Sequence, residues 1–330
     1  MKPIKIGKLK IQVSDENINE IAMILVLCLM IAAFSIASPD FFSQRNLINI
    51  LRQVTMIGIT SFGLTFMLIA GGVDLSTGQI VALSGVTVTL LMVKFSISPW
   101  LAVIITLVIA SIMGYFNGGV AIWLRIPSLV STLAMMQVYS GIAFILTKGQ
   151  TIYGFPDSFD FIGKGYVGII PVPVIIMIGI MAVGWVVLNK TSFGKHLYAI
   201  GGNKEAAKLS GINVNRTFIL ASTICGLSCG IAGVIMASRV GSGQANISAT
   251  FGFDVITAVV LGGGSVDGGE GKVSGVLIGV LIMGVLSNGL ALLNVYDYYQ
   301  QVIKGIVLIG AVGFDKLRQA YTIEHAKASK

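Results

Sequence analysis

Charged residues are scarce in this chain. Asp, Glu, Lys and Arg make up 11% of its 330 residues, whereas soluble domains carry about 25%. Hydrophobic residues account for 55% of the sequence, and the mean hydropathy is +0.90. Because so few charges cannot cover a water-facing surface, the composition excludes a soluble globular domain and predicts an integral membrane protein.

Histidine and cysteine, the usual residues of metal sites and proton relays, are also rare. The two histidines, His196 and His325, both fall in predicted polar segments. Cys28, Cys225 and Cys229 lie in apolar segments and are interpreted as reduced, space-filling thiols. The sequence therefore predicts neither a metal site nor a catalytic residue.

A nucleotide-binding loop is missing as well. The pattern Gly-x4-Gly-Lys-Ser/Thr, whose backbone amides cradle phosphates, does not occur. The nearest match, GGEGKV at 268–273, lacks the leading glycine and the hydroxyl residue. The chain is therefore not expected to hydrolyse ATP by itself.

The net charge is +8, and 13 of the 22 basic residues form three clusters beside apolar segments. Lysine and arginine beside membrane spans concentrate on the cytoplasmic side, so this charge indicates topology and not affinity for nucleic acid. Segment 1–20, loop 190–216 and tail 319–330 are accordingly predicted to be cytoplasmic. The basic residues of the three clusters are Lys2, Lys5, Lys8 and Lys10; Lys190, Lys195, Lys204, Lys208 and Arg216; and Lys316, Arg318, Lys327 and Lys330.

The apolar segments predict about ten membrane spans, since a helix needs roughly 20 apolar residues to cross a bilayer. Two segments, 79–93 and 253–264, are short or broken by glycine. Ten spans place the three basic clusters on one side, and eight spans with both short segments re-entrant would do the same. The predicted fold is all-α: one polytopic membrane helix bundle over 21–318, with glycine-interrupted segments and cytoplasmic termini. The longer segments are 21–38, 54–71, 99–122, 127–147, 171–189, 217–238, 273–293 and 300–317.

Four polar residues inside apolar segments are candidates for a translocation path. Asp74 lies in AGGVDLSTG, and a carboxylate at bilayer depth costs at least about 2.5 kcal/mol unless it finds donors or water. It would therefore line a path or fix the end of a broken helix. Asn117, Gln137 and Asn288 suit an uncharged, hydroxyl-rich solute, but such residues also bond helices to one another.

Glycines recur every four residues at Gly271, Gly275 and Gly279. Small residues at this spacing let two helices approach closely in lipid, so these three predict a helix-packing face. Segments 68–86 and 259–280 also resemble each other, because each places glycines and an acid between apolar stretches. Repeated halves with glycine-interrupted segments are typical of transporters.

A short polar helix is predicted within 198–214. Asn203 is a suitable N-cap, Glu205 lies in the first turn, and Gly211 is placed for a left-handed C-cap. Isolated helices shorter than about 12–15 residues are not stable in water, so this one must be held by packing and is interpreted as a docking element. The residues of its predicted apolar face are Ala206, Ala207 and Leu209.

Four motifs, at 71–78, 191–214, 261–271 and 300–312, closely resemble the permease subunits of bacterial ribose/galactose/xylose-type ABC importers. The resemblance extends over roughly 20–318 and implies a multi-pass homodimer in the inner membrane. It implies a cytoplasmic ABC ATPase and a periplasmic substrate-binding protein as partners, with ATP and Mg²⁺ held by the ATPase and no cofactor on this chain. The residues that match the family's coupling-helix pattern are Glu205, Ala206, Ala207 and Gly211.

The first hypothesis for function is therefore the permease subunit of an ATP-driven monosaccharide importer. A second keeps the ABC permease but changes the solute to a branched-chain amino acid, a nucleoside or a sugar-derived signal. A third is an ion-coupled secondary carrier that works alone, although few ionisable residues lie within the spans. A membrane scaffold without transport activity is disfavoured by the docking helix.

Overall fold

The computed structural model describes residues 3–6, 9–12, 15–246 and 250–328. The predicted cytoplasmic segments 1–20 and 319–330 therefore lie partly outside the described residues. Within these ranges the chain is mainly α-helical, as predicted. The helices are α1 (Asp15–Ala37), α2 (Gln44–Ile69), α3 (Thr77–Val93), α4 (Pro99–Trp123), α5 (Ser128–Thr147), α6 (Asp160–Lys164), α7 (Val172–Lys190), α8 (Ser192–Gly202), α9 (Lys204–Leu209), α10 (Val214–Val240), α11 (Phe251–Leu261), α12 (Val273–Leu292) and α13 (Asp297–Ala328).

The remaining regular structure is short. In the described residues it consists of two antiparallel strand pairs, one before α1 and one between α6 and α7, and of two 3₁₀ turns. Each strand is only two to four residues long, so the helices build most of the fold. The strands are β1 (Pro3–Ile6) with β2 (Leu9–Gln12) and β3 (Tyr166–Val167) with β4 (Ile170–Pro171), and the turns are Pro39–Phe42 and Asp157–Phe159.

Seven helices of the described chain are long and apolar enough to cross a membrane, which agrees with an all-α polytopic membrane protein. They are α1 from Glu20 onward, α2, α4, α5, α7, α10 and α12. The predicted segment 300–317 lies in α13, and the two short segments lie in α3 and α11. At 1.5 Å per residue, α11 covers only about 16 Å, roughly half of the hydrocarbon core.

Helix α10 packs at the centre of the bundle against α2, α3 and α4. Its contact with α4 is made by backbone, because a methyl group at Gly226 would lie 2.4 Å from the carbonyl oxygen of Ala110. In the same way, a methyl group at Gly114 of α4 would lie 2.3 Å from the carbonyl oxygen of Ser222 of α10. Small residues thus bring these two helices into direct contact, as is usual in membranes.

The predicted packing glycines divide into two groups. Gly275 and Gly279 lie in α12 against the end of α11, where added methyl groups would come within 2.1 Å of the Gly262 oxygen and 2.0 Å of the Ala258 oxygen. Gly271 differs from the prediction, because α12 begins only at Val273. It lies in the preceding loop with φ of +152°, a conformation that favours glycine.

The two ends of α10 distinguish the two ends of the bundle. At its N-terminus, Val214 packs against Ala207 of α9. At its C-terminus, Gly243 exchanges two backbone hydrogen bonds of 2.9 Å with Ile152. Loop 148–170 and the polar segment that contains α9 therefore lie at opposite ends of the bundle.

Candidate functional site

The predicted docking helix is present as α9, and it is capped at both ends. The side-chain oxygen of Asn203 accepts a hydrogen bond of 2.9 Å from the amide of Ala206, as an N-cap does. Gly211 has φ of +83° and donates to the carbonyl of Lys208. The amide of Ile212 reaches back to Ala207 at 3.1 Å, which completes a Schellman motif.

The faces of α9 differ from the prediction. The sequence predicts one apolar face made of Ala206, Ala207 and Leu209, but only Ala207 is buried, against Ile200 and Val214. Ala206 is exposed, and Leu209 is 89% exposed. Adjacent helical residues are about 100° apart, whereas residues three apart share a face. One face therefore holds α9 on the bundle, and the other presents Leu209 outward.

A second helix, α8, precedes α9 and was not predicted. The hydroxyl of Thr191 caps its first turn by accepting a hydrogen bond of 3.3 Å from the amide of Gly194. Its last residues, Gly201 and Gly202, lead directly into the Asn203 cap. Helix α9 is therefore the second arm of a helix pair.

Asp74 forms the centre of a completely buried polar cluster between α2 and α3. Its Oδ1 accepts hydrogen bonds from the amide and hydroxyl of Ser76 at 2.8 and 2.7 Å. Its Oδ2 accepts from Asn117 Nδ2 at 2.9 Å, and the Tyr139 hydroxyl lies 2.9 Å from Asn117 Oδ1. The carboxylate thus joins the turn before α3 to α4, and through Asn117 to α5.

The backbone of the same turn is also fixed by α5. The amide of Val73 donates to the Ser128 hydroxyl at 3.1 Å, and the amide of Leu75 donates to the Thr132 hydroxyl at 3.2 Å. Side chains of one helix thus satisfy backbone groups that the break between α2 and α3 leaves without helical partners. In this conformation the contacts of Asp74 are those of a residue that fixes a broken helix end.

The other candidate path residues occupy different settings. Asn288 and Asn46 are buried and exchange two side-chain hydrogen bonds, at 3.0 and 2.8 Å, between α12 and α2. Gln137 is exposed and is the tenth of the twenty residues of α5. Leu133 and Gly141, on the same face, are exposed too. Of the four predicted residues, Gln137 is the one whose side chain points out of the chain.

A family model described as a permease component of the branched-chain amino acid transport system matches residues 46–312. The chain belongs to this permease family. Its motifs at 71–78, 191–214 and 261–271 lie at the Asp74 turn, in the α8–α9 pair and in the loop before α12. The permease is a multi-pass protein of the inner membrane.

Several curated proteins are similar to the permease along nearly their whole length. The ribose import permease protein RbsC of Bacillus subtilis is 41% identical over 308 residues, which are 93% of this chain and 95% of that protein. RbsC of Escherichia coli K12 is 37% identical over 300 residues, which are 90% of this chain and 93% of that protein. The L-arabinose transport system permease protein AraH of Escherichia coli K12 is 36% identical over 301 residues, which are 91% of this chain and 92% of that protein. No solved structure matches the permease.

An ion pair between distant segments was not predicted from the sequence. Lys304 Nζ of α13 lies 2.7 Å from Asp254 Oδ2 of α11, and both side chains are nearly buried. The pair ties the short helix α11 to α13, which offsets part of the cost of two charges in an apolar surrounding.

The glycine-rich loop 262–272 makes contacts with several helices of the permease. Its Gly269 amide donates to the carbonyl of Ile69 at the end of α2, at 2.9 Å. Tyr198 of α8 donates its hydroxyl to the carbonyl of Gly271 at 2.6 Å. Asp267 forms an ion pair with Lys316 of α13, which gives this acid a structural role. The loop therefore links the α8–α9 pair to α2 and α13.

Proposed function

We propose that the permease is the membrane subunit of an ATP-driven importer and that its solute is a monosaccharide. The observation that carries the proposal is α9, a doubly capped helix that holds an apolar residue, Leu209, 89% exposed at the end of the bundle opposite loop 148–170. An exposed leucine on a fixed helix suits an apolar groove in a protein partner. The partner that fits is a cytoplasmic ABC ATPase, which would hold the ATP and Mg²⁺.

The choice of solute rests on the relatives. The family description names branched-chain amino acids, but the relatives reported above are named for ribose and L-arabinose. Amide groups such as that of Gln137 can donate to and accept from sugar hydroxyls. Delivery by a periplasmic binding protein to loop 148–170 and its neighbours would complete the importer.

A homodimer would cover the outward face of α5. Gln137 lies at the middle of this span, where a polar side chain is costly unless it meets protein or water. A methyl group at Gly141, one turn further along, would meet no atom within 4 Å. We therefore propose that the α5 faces of two copies meet around Gln137 and enclose the sugar path.

The contacts also support ten crossings with both termini cytoplasmic. Gly243, just after α10, lies against Thr89 near the end of α3, whereas Gly252 at the start of α11 lies against Gly78 near the start of α3. Gly243 and Gly252 thus lie near opposite ends of α3. Because α11 begins beside the start of α3, well away from the Gly243 end of the bundle, the short helix need not span the bilayer alone.

Cross-linking through α5 tests the homodimer. In a Cys28→Ser background, Gln137→Cys is expected to give a disulfide-linked species of twice the mass on mild oxidation, because the two residues would face each other near the dimer axis. Ile178→Cys is the control, since Ile178 is 58% exposed on α7, away from the proposed interface. Equal cross-linking at both positions, or none at Gln137→Cys, would contradict the interface.

Reconstitution tests the function itself. The permease is reconstituted in liposomes together with its ATPase and the binding protein. We expect these liposomes to take up a labelled pentose only when ATP is present on the side of the membrane that holds the ATPase. Permease alone under a proton or sodium gradient is the control and should show no uptake. Gradient-driven uptake without the ATPase would instead establish a secondary carrier, and ATP-driven uptake of leucine but not pentose would overturn the sugar assignment.

A further inference from the structure

Glycines from three different parts of the permease meet at one point. Gly71 follows α2, Gly201 lies in the last turn of α8, and Gly268 and Gly269 lie in the loop between α11 and α12. We call this meeting point the glycine junction. It lies between α8–α9 and the turn that carries Asp74.

The contacts in the glycine junction are between backbones. A methyl group at Gly201 would lie 1.9 Å from the Ile69 oxygen and 2.3 Å from the Gly269 nitrogen. A methyl group at Gly268 would lie 2.7 Å from the Cα of Gly71 and 3.1 Å from the Cα of Gly201. Since no side chain separates these segments, a displacement of one of them must displace the others, as expected for close-packed groups.

Two hydrogen bonds reinforce the glycine junction. The bond from the Gly269 amide to the Ile69 carbonyl attaches the loop to the end of α2. The bond from the Tyr198 hydroxyl to the Gly271 carbonyl attaches the loop to α8, one turn before the Gly201–Gly202 pair. Gly271 in turn leads into α12. The junction thus connects α8 to the end of α2 and to the start of α12.

The junction is close in sequence to functional elements on both sides. Gly71 precedes Asp74 by three residues, and Gly202 precedes the Asn203 cap of α9 by one. Ile200 of α8 also packs against Ala207 of α9, so α8 and α9 are held together as one unit. A movement of α9 therefore reaches the Asp74 turn through a short and tightly packed route.

We propose that the glycine junction transmits movement from the docking helix to the membrane helices. When the ATPase displaces α9, α8 pushes on Gly268 and Gly269 and on the end of α2, and the Asp74 turn and the start of α12 shift together. This rests on the proposed function, because it takes α9 as the ATPase contact. It adds Gly71, Gly201, Gly268 and Gly269 as positioning residues for transport.

Neighbouring glycines supply a matched test. In the complete complex with ATPase and binding protein, Gly201→Ala is expected to leave ATP hydrolysis measurable but to lower the sugar molecules imported per ATP hydrolysed by about tenfold, in line with mutations along coupling networks. Gly202→Ala is the control, because a methyl group there would meet no atom within 4 Å. The Gly202→Ala variant should import as many sugar molecules per ATP hydrolysed as the parent permease.

A less disruptive variant, Tyr198→Phe, tests the proposal if the Gly201→Ala permease does not assemble with its partners. Tyr198→Phe removes the hydrogen bond to Gly271 without adding volume, and should lower the ratio of import to hydrolysis by about two- to fivefold, the effect of one hydrogen bond. If import and hydrolysis fall in parallel, or neither changes, in the assembled variants, the glycine junction is structural and the proposal is overturned. If α9 variants leave the ATPase bound, the docking assignment itself has failed.

Discussion

Leu209→Asp is expected to remove the ATPase from the purified permease complex. Burying a leucine contributes about 1.5–3 kcal/mol, and a carboxylate in the same groove would add a desolvation cost, so the affinity should fall by a factor of at least about 100. The permease itself should fold normally, since Leu209 is 89% exposed and α9 is held by Ala207 and its two caps. Co-purification from membranes through a tag on the permease measures the effect.

Two further variants of α9 make this result specific. Leu209→Met keeps an apolar side chain of similar volume and should keep the ATPase bound. Glu205→Lys reverses the charge in the first turn of α9, where Glu205 is exposed, and should lower uptake while membrane insertion is unchanged. ATPase binding and uptake that both survive Glu205→Lys and Leu209→Asp would show that α9 is not the docking element.

Asp74→Asn should destabilise the permease by about 2–4 kcal/mol, the cost of misdirected hydrogen bonds at a buried charged group. Both carboxylate oxygens accept from donors, at 2.7–2.9 Å, on Ser76 and Asn117. An amide has the same shape but turns one acceptor into a donor, so two donors would face each other. The turn between α2 and α3 would then lose its main side-chain anchor.

The reactivity of the buried thiols measures the stability of the Asp74→Asn variant. Cys225 and Cys229 are buried and Cys28 is exposed, so in a Cys28→Ser background a thiol-reactive dye reports unfolding as the temperature rises. Asp267→Asn is the matched control, because the ion pair of Asp267 with Lys316 is about half exposed and should contribute no more than about 1 kcal/mol. Equal shifts of the unfolding temperature for the two variants would contradict the anchoring role of Asp74.

Local features of the fold could be predicted from the sequence, because their causes lie within a few residues. Asn203 and Gly211 predicted the two caps of α9, since an N-cap and a left-handed C-cap depend only on the adjacent turn. The spans were visible as apolar runs. Helix α8 was missed because the glycine pair at its end interrupts the helical pattern, although these glycines pack against other backbone.

Contacts between distant segments could not be predicted in the same way. Helix α2 begins ten residues before its predicted span, because Asn46 is polar yet buried against Asn288, 242 residues away. Asp254 likewise meets Lys304, and Gly201 meets Gly268, across a long separation in the sequence. A single sequence shows that such residues are unusual, but which of them meet is decided by the packing of the bundle.

The two-sided construction of α9 also bears on how the permease would distinguish its ATPase from a related one. Ala207 and the two caps fix where the helix lies, whereas Lys204, Glu205, Lys208 and Leu209 face outward. Substitutions at these four positions alter the surface that a partner reads while leaving the attachment of the helix unchanged. Partner choice and membrane folding can therefore diverge independently, and we expect duplicated permeases to acquire new ATPases by exchanging only the outward residues.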